Sequence, residues 1–377
     1  MSYDPHARRD TPLALKLKAN IAREGPMPVS QYMSECLWDD AHGYYATRSA
    51  IGKSGDFITA AEISQIFGEL IGLWSAVVWQ QVLGGPPSVR LVEYGPGRGT
   101  MMRDALRSAR VVPGFAAAAS VHLLEMSPTL AAEQRAALNG AGVPVSWGQN
   151  LAGFEPPAII IANEFLDAWP VELWVKTETG WRWRGVGLDA RGHLCFTVVP
   201  GTRVRDDLDQ RLPGAQLGAV VESQRPERLA EALKKLSLSG PVAALIIDYG
   251  HVAPVSGDTL QAVRGHTYES PLTSPGEADL SAQISFFELA TEVHKVGLAI
   301  DGPITQSEFL GSLGIIERAS RLMSANPQRA GEIEAGVARL IAPNGMGTRF
   351  KAIGVRSAQL APLPGFPAPL QASQPPL

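Results

Sequence analysis

After Gly84-Gly85-Pro86-Pro87 the chain begins to alternate between two kinds of segment. Short apolar runs at residues 89–94, 121–125, 143–147, 158–162 and 242–248 are separated by helix-length stretches. Short runs rich in β-branched residues, separated by helix-length segments, are strands buried on both faces. They predict a parallel, doubly wound α/β sheet. One interval, residues 163–241, is too long for a single helix. Within it residues 171–200 alternate, with turn signals at Thr179-Gly180 and Arg191-Gly192, which predicts an antiparallel β-rich insertion serving as a lid or a partner surface. Upstream, residues 12–80 read as mostly helical, with Leu13, Leu17 and Ile21 at helical spacing and a glycine-bearing loop at 43–59. A further helix near 282–296 and a strand at 348–355 are expected. The expected organisation is a helical segment at 1–86 and a sheet core at 87–170 and 241–360. The β-rich insertion occupies 171–240, and a proline-rich tail at 361–377 has no core of its own.

Composition narrows the function classes. Hydrophobic residues are 45% of the 377, enough for a sizeable core, and the formal net charge of −4 gives no basic footprint. No nucleic-acid partner is expected. Cys36 and Cys195 lie far apart, so neither a disulfide framework nor a cysteine zinc site is expected, and a reducing cytoplasm is the simplest compartment. The most apolar run, residues 70–79, is half the roughly 20 residues that a membrane span needs. The first ten residues lack the apolar stretch of a signal peptide.

The strongest local signal is Glu93-Tyr94-Gly95-Pro96-Gly97-Arg98-Gly99-Thr100, at the end of one expected strand and before a helix-compatible stretch. Glycines there allow tight backbone geometry, and the helix N-terminus offers free N–H groups. A dinucleotide loop requires G-x-G-x-x-G, whereas this spacing is G-x-G-x-G with an acid ahead of it. A carboxylate at the mouth of the loop repels phosphate and attracts an ammonium group, such as the one on the methionyl end of S-adenosylmethionine. Glu125, ending the next strand, is then placed to hold ribose hydroxyls, although further from Gly99 than the usual ~20 residues. Gln149 and Asn150, after the third strand, are candidates for the adenine edge by topology alone. A plain strand-to-helix turn is the competing reading of the glycines.

Several blocks in order resemble a known family, the MidA-like S-adenosylmethionine-dependent methyltransferases, over nearly the whole chain from about residue 15 to 355. The first are Gly55-Asp56-Phe57-Ile58-Thr59, Glu62-Ile63-Ser64 and Phe67-Gly68-Glu69, followed by the glycine loop and Asn163-Glu164-Phe165-Leu166-Asp167-Ala168. The last are Asp248-Tyr249-Gly250, Pro275-Gly276-Glu277 with Asp279-Leu280, and Met346-Gly347 with Phe350-Lys351. The resemblance implies a Rossmann-like class I methyltransferase sheet with an N-terminal helical segment and an inserted β-rich arm. It also implies S-adenosylmethionine as cofactor and a loop carrying Asp56, Phe57 and Thr59 that covers it. Glu93, Gly95, Gly97, Gly99 and Glu125 are expected to bind the cofactor. Because mitochondrial members of the family are arginine methyltransferases needed for respiratory complex I assembly, a complex I subunit is the implied protein client.

Methyl transfer from a sulfonium demands positioning more than acid–base chemistry. A cationic guanidinium acceptor is helped by a carboxylate that aligns it. Glu164, after the fourth strand, is the candidate for that role, with Asn163 and Asp167 in support. The alternative is that Asp167 caps a helix and Glu164 is a solvated turn residue. Two rival functions stand beside the enzyme reading: an assembly factor that uses the cofactor structurally, and a nicotinamide-dependent oxidoreductase.

Overall fold

The computed structural model describes residues 4, 6–47, 59–151, 153–201, 205, 207–253 and 257–367. The chain divides into two compact units, one of residues 58–165, 226–252 and 286–377, the other of residues 1–57, 166–225 and 253–285. These units cut across the expected segments. The N-terminal stretch contributes to both, and so does the region after residue 241.

The first unit is built on a twisted sheet. Its strands are β1 (Val89–Tyr94), β2 (Ala119–Leu124), β3 (Val145–Gly148), β4 (Ala158–Asn163), β5 (Val242–His251), β6 (Leu298–Thr305) and β7 (Phe350–Ser357). They lie in the order β3-β2-β1-β4-β5-β7-β6, parallel except for β7, which runs antiparallel to both neighbours. Ile159, Ile160 and Ile161 of β4 and the whole run Val242–Ile247 of β5 are buried, as central strands covered on both faces require. The chain leaves β1 toward β2 and β3, then crosses back to β4, which makes the β1–β4 boundary the switch point where open α/β sheets bind ligands. Register aligns the strand ends there: Tyr94 pairs with Leu124 on one side and Ala162 on the other. The apolar runs read from sequence thus become strands β1 to β5, with bounds shifted by a few residues.

Helices α1 (Ala60–Ile63), α2 (Gln65–Val77), α3 (Thr100–Ala109) and α4 (Pro128–Ala137) belong to this unit. Helix α2 crosses α3 closely because Gly72 has no side chain; a Cβ there would lie 2.1 Å from the Ala105 carbonyl oxygen. Buried Glu69 of α2 accepts from Arg107 of α3 at 2.9 Å and from Arg318 at 2.7 Å, which keeps its carboxyl below the usual range despite burial. The start of the proline-rich tail borrows the core of the sheet. Leu363 is 2% exposed, Phe366 packs on Phe309 with ring centroids 5.1 Å apart, and the Trp74 indole donates to the Pro364 carbonyl at 2.9 Å.

The second unit carries the antiparallel arm. Strands Glu172–Thr177, Gly180–Leu188 and Leu194–Val198 form the expected meander, extended by Val220–Ser223 and by the two residues Met27–Pro28. Helix Pro12–Glu24 buries Leu13, Leu17 and Ile21 into a core shared with Leu173, Val186 and Leu194 of the arm. Thr11 caps that helix, accepting from the Ala14 N–H at 3.0 Å, and Pro12 starts it, the two favoured choices at a helix N-terminus.

Candidate active site

The glycine loop after β1 adopts a backbone that side chains resist. Gly95, Gly97 and Gly99 have φ of 60°, 54° and 78°, the left-handed region open to glycine. At Gly95 a Cβ would also lie 2.6 Å from the Phe165 ring. The loop delivers the chain to α3, whose first N–H groups lack intrahelical partners. Its flanks are tethered. Arg98 donates to Glu133 of α4 at 2.9 Å, and the Thr100 hydroxyl donates to Glu62 of α1.

Glu93, at the end of β1, is 3% exposed, and its Oε2 has no hydrogen-bond partner among the described residues. Burial, with the negative charge of Glu125 adding to it, pushes its carboxyl up to about 8. Such an acid is costly to ionise unless a cation comes to it. Glu125 follows β2. Its Oε1 accepts from the Ser127 N–H at 2.7 Å and its Oε2 from the Gln134 amide at 2.8 Å. Burial still raises its carboxyl. Each of these oxygens keeps a second lone pair for an incoming hydroxyl.

Gln134 is the site residue that sequence reading missed. It is fully buried on α4, and its Nε2 donates both to the Gly97 carbonyl at 2.7 Å and to Glu125. Its Oε1 accepts from the Trp147 indole of β3 at 2.9 Å. The available signal was positional: Leu130, Ala131 and Gln134 share the inward face of α4, where a glutamine is out of place without partners.

Beyond β4 the chain turns sharply. Glu164 has φ of 49°, rare and strained for a residue with a side chain. Its Oε1 accepts from the Ala60 N–H that opens α1 at 2.6 Å and from the Asn163 amide at 3.2 Å. It is half-buried rather than solvated, contrary to the bland reading of it as a turn residue. The Oδ1 of Asn163 is buried without a partner among the described residues. Asp248 of β5 steadies this turn by accepting from the Phe165 N–H at 3.2 Å.

The structure therefore gathers Glu93, the loop glycines and Glu125 around one strand-end edge, with Asn163 and Glu164 on the adjoining strand. Gln149 and Asn150 follow β3 and are exposed. Thr59 sits at the start of α1, its carbonyl accepting from the Glu62 N–H at 2.9 Å. Asp56 and Phe57 lie outside the described residues. The partition places Glu164 in the first unit and Asp167 in the second. In the second unit, burial raises the Asp167 carboxyl. Among the described residues no group of three or more His, Cys, Asp and Glu side chains could hold a metal ion, and no helix is long and apolar enough to cross a membrane.

A family profile for S-adenosyl-L-methionine-dependent methyltransferases matches residues 70–304. A Danio rerio protein named protein arginine methyltransferase NDUFAF7, mitochondrial, is 34% identical over 92% of this chain and 87% of its own. Its Homo sapiens counterpart is 33% identical over 92% and 84%. Among solved structures, a candidate methyl transferase from Burkholderia thailandensis, crystallised with S-adenosyl-homocysteine, superposes with a TM-score of 0.81 at 26% identity, over 94% of both chains. These findings overturn the cytoplasmic expectation, since the relatives are mitochondrial by name. The two unpaired cysteines speak only to a reducing environment, which more than one compartment provides.

Proposed function

The chain belongs to the family of S-adenosylmethionine-dependent methyltransferases, and from that premise we propose that its acceptor is an arginine side chain of a protein. It is an enzyme and S-adenosylmethionine is its cofactor. The residues present fit that cofactor. A buried carboxylate oxygen without a partner, at a loop of left-handed glycines, suits a methionyl ammonium and rejects a pyrophosphate. The same carboxylate weighs against a nicotinamide dinucleotide.

In this reading Glu93 receives the ammonium, and the N–H groups at the start of α3 receive the methionyl carboxylate. Glu125 accepts from the ribose hydroxyls, and Gln149 and Asn150 border the adenine. When bound, the cofactor supplies a methyl group on positively charged sulfur. The chain must hold the acceptor nitrogen in line with it and exclude water.

The observation that carries the arginine proposal is the Asn163 Oδ1, a buried acceptor at the end of β4 with no donor among the described residues. A guanidinium presents five N–H donors in a planar fork, and one of them satisfies that oxygen. The neighbouring Glu164 carboxylate offsets the positive charge and is the group placed to take the proton that the acceptor nitrogen loses. The names of the relatives support the same acceptor. The family resemblance extends the proposal to a client subunit of respiratory complex I or its bacterial counterpart.

The test is methyl transfer from labelled S-adenosylmethionine to arginine-bearing client protein, with the modified residue located by mass spectrometry. Glu164→Gln retains an oxygen for the Ala60 N–H, and should cut transfer by about 10²–10³-fold while leaving S-adenosylhomocysteine binding intact. Undiminished transfer by both Glu164→Gln and Asn163→Ala, or modification confined to residues other than arginine, would overturn the proposal.

A further inference from the structure

We propose that Gln134 is a positioning residue for the cofactor, fixing the glycine loop and Glu125 in one geometry through a single side-chain amide. The inference rests on the reading of that loop and of Glu125 as two ends of the cofactor site. A primary amide has two N–H donors and one carbonyl acceptor, and each serves the end of a different strand. One N–H goes to the Gly97 carbonyl after β1, the other to Glu125 after β2, and the oxygen takes the Trp147 indole at the end of β3.

Both donated bonds, at 2.7 and 2.8 Å, are at the short end of the range for N–H···O contacts. Gly97 has no side chain with which to hold its own carbonyl, and its left-handed backbone leaves the direction of that carbonyl to outside partners. The approach of α4 that makes this possible depends on a second glycine. A Cβ on Gly99 would lie 3.3 Å from the Gln134 Cα, tighter than ordinary packing.

Residue type matters at this position. Asparagine is one methylene too short to span the three partners. Methionine fills the space and donates nothing. Glutamate, once ionised, presents oxygen to two groups that require a proton, and its charge opposes that of Glu125. When protonated, it restores one of the two donated bonds.

These differences separate positioning from packing. S-adenosylhomocysteine binding is measured by titration for the full-length protein and its Gln134→Met, Gln134→Glu and Glu125→Gln variants between pH 6 and pH 8.5, with thermal unfolding as the folding check. Gln134→Met should weaken binding by about tenfold or more at every pH, the worth of the two donated hydrogen bonds lost to the Gly97 carbonyl and Glu125. Gln134→Glu should bind within about threefold of the unsubstituted protein at pH 6 and fall progressively behind it as pH rises. At saturating cofactor both should leave kcat nearly unchanged and raise KM for S-adenosylmethionine. Parallel pH profiles for Gln134→Glu and the unsubstituted protein, or unweakened binding by a folded Gln134→Met, would overturn the inference. Unchanged binding by Glu125→Gln would instead overturn the reading of the site on which it rests.

Discussion

Two buried carboxylates of one sheet are treated in opposite ways. Asp301, on β6 at the edge of the sheet, is 4% exposed and fully engaged. Its Oδ2 accepts from Arg356 at 2.8 Å and from the Leu363 N–H at 3.1 Å. Glu93, at the switch point, is 3% exposed and keeps an oxygen with no partner among the described residues. Asp301 holds the C-terminal segment against β6 and β7, and its charge is balanced within the chain. Burial raises the Glu93 carboxyl to about 8, and we propose that this unpaired acid marks the place where the ligand's cation completes the structure.

The comparison breaks most visibly at Arg356. Arg356→Leu strands the Asp301 charge and should cost about 3–5 kcal/mol in urea unfolding, with S-adenosylhomocysteine affinity unchanged in protein that remains folded. Glu93→Gln should do the reverse. A carboxyl whose pKa is raised from 4.5 to about 8 on folding binds more protons folded than unfolded, so its contribution to stability falls as pH rises across that window. The substitution should therefore flatten the pH dependence and stabilise the protein at pH 8 by about 4 kcal/mol. It should also weaken S-adenosylhomocysteine by about 10–100-fold, the worth of a hydrogen bond to a charged group.

Gly95→Ala probes the backbone of the same loop. Its left-handed φ and the Phe165 ring beneath it predict about 1–3 kcal/mol lost in unfolding, with weaker cofactor binding. The smallest effect is expected at Asn150. Its exposed side chain leads to the expectation that Asn150→Ala changes affinity by no more than about threefold, read in the same titration.

How much of this was legible in sequence follows from what burial does to each residue. β4 and β5 could be read because central parallel strands are apolar on both faces. Glu93 stood out because an acid directly ahead of a glycine turn repels phosphate and attracts an ammonium, the role we propose for it. Gln134 could not be read, since one glutamine on a helix is ordinarily solvated and only the packed structure shows its three partners. The docking of Leu363 was not legible, since the Asp301 carboxylate that accepts from its N–H lies 62 residues earlier in the chain. The antiparallel arm was legible from its alternation and turn residues, because local patterning specifies hairpins.

The account turns on Glu93 waiting for a cation, and proton release on cofactor binding tests that directly. At pH 7 a carboxyl with pKa near 8 is about nine-tenths protonated, and an ammonium beside it drives the proton off. Calorimetric titration of S-adenosylhomocysteine in buffers of differing ionisation enthalpy should therefore show nearly one proton released per ligand bound, and none in Glu93→Gln. Binding with no proton release by the unsubstituted protein, or equal release by the variant, would contradict the assignment.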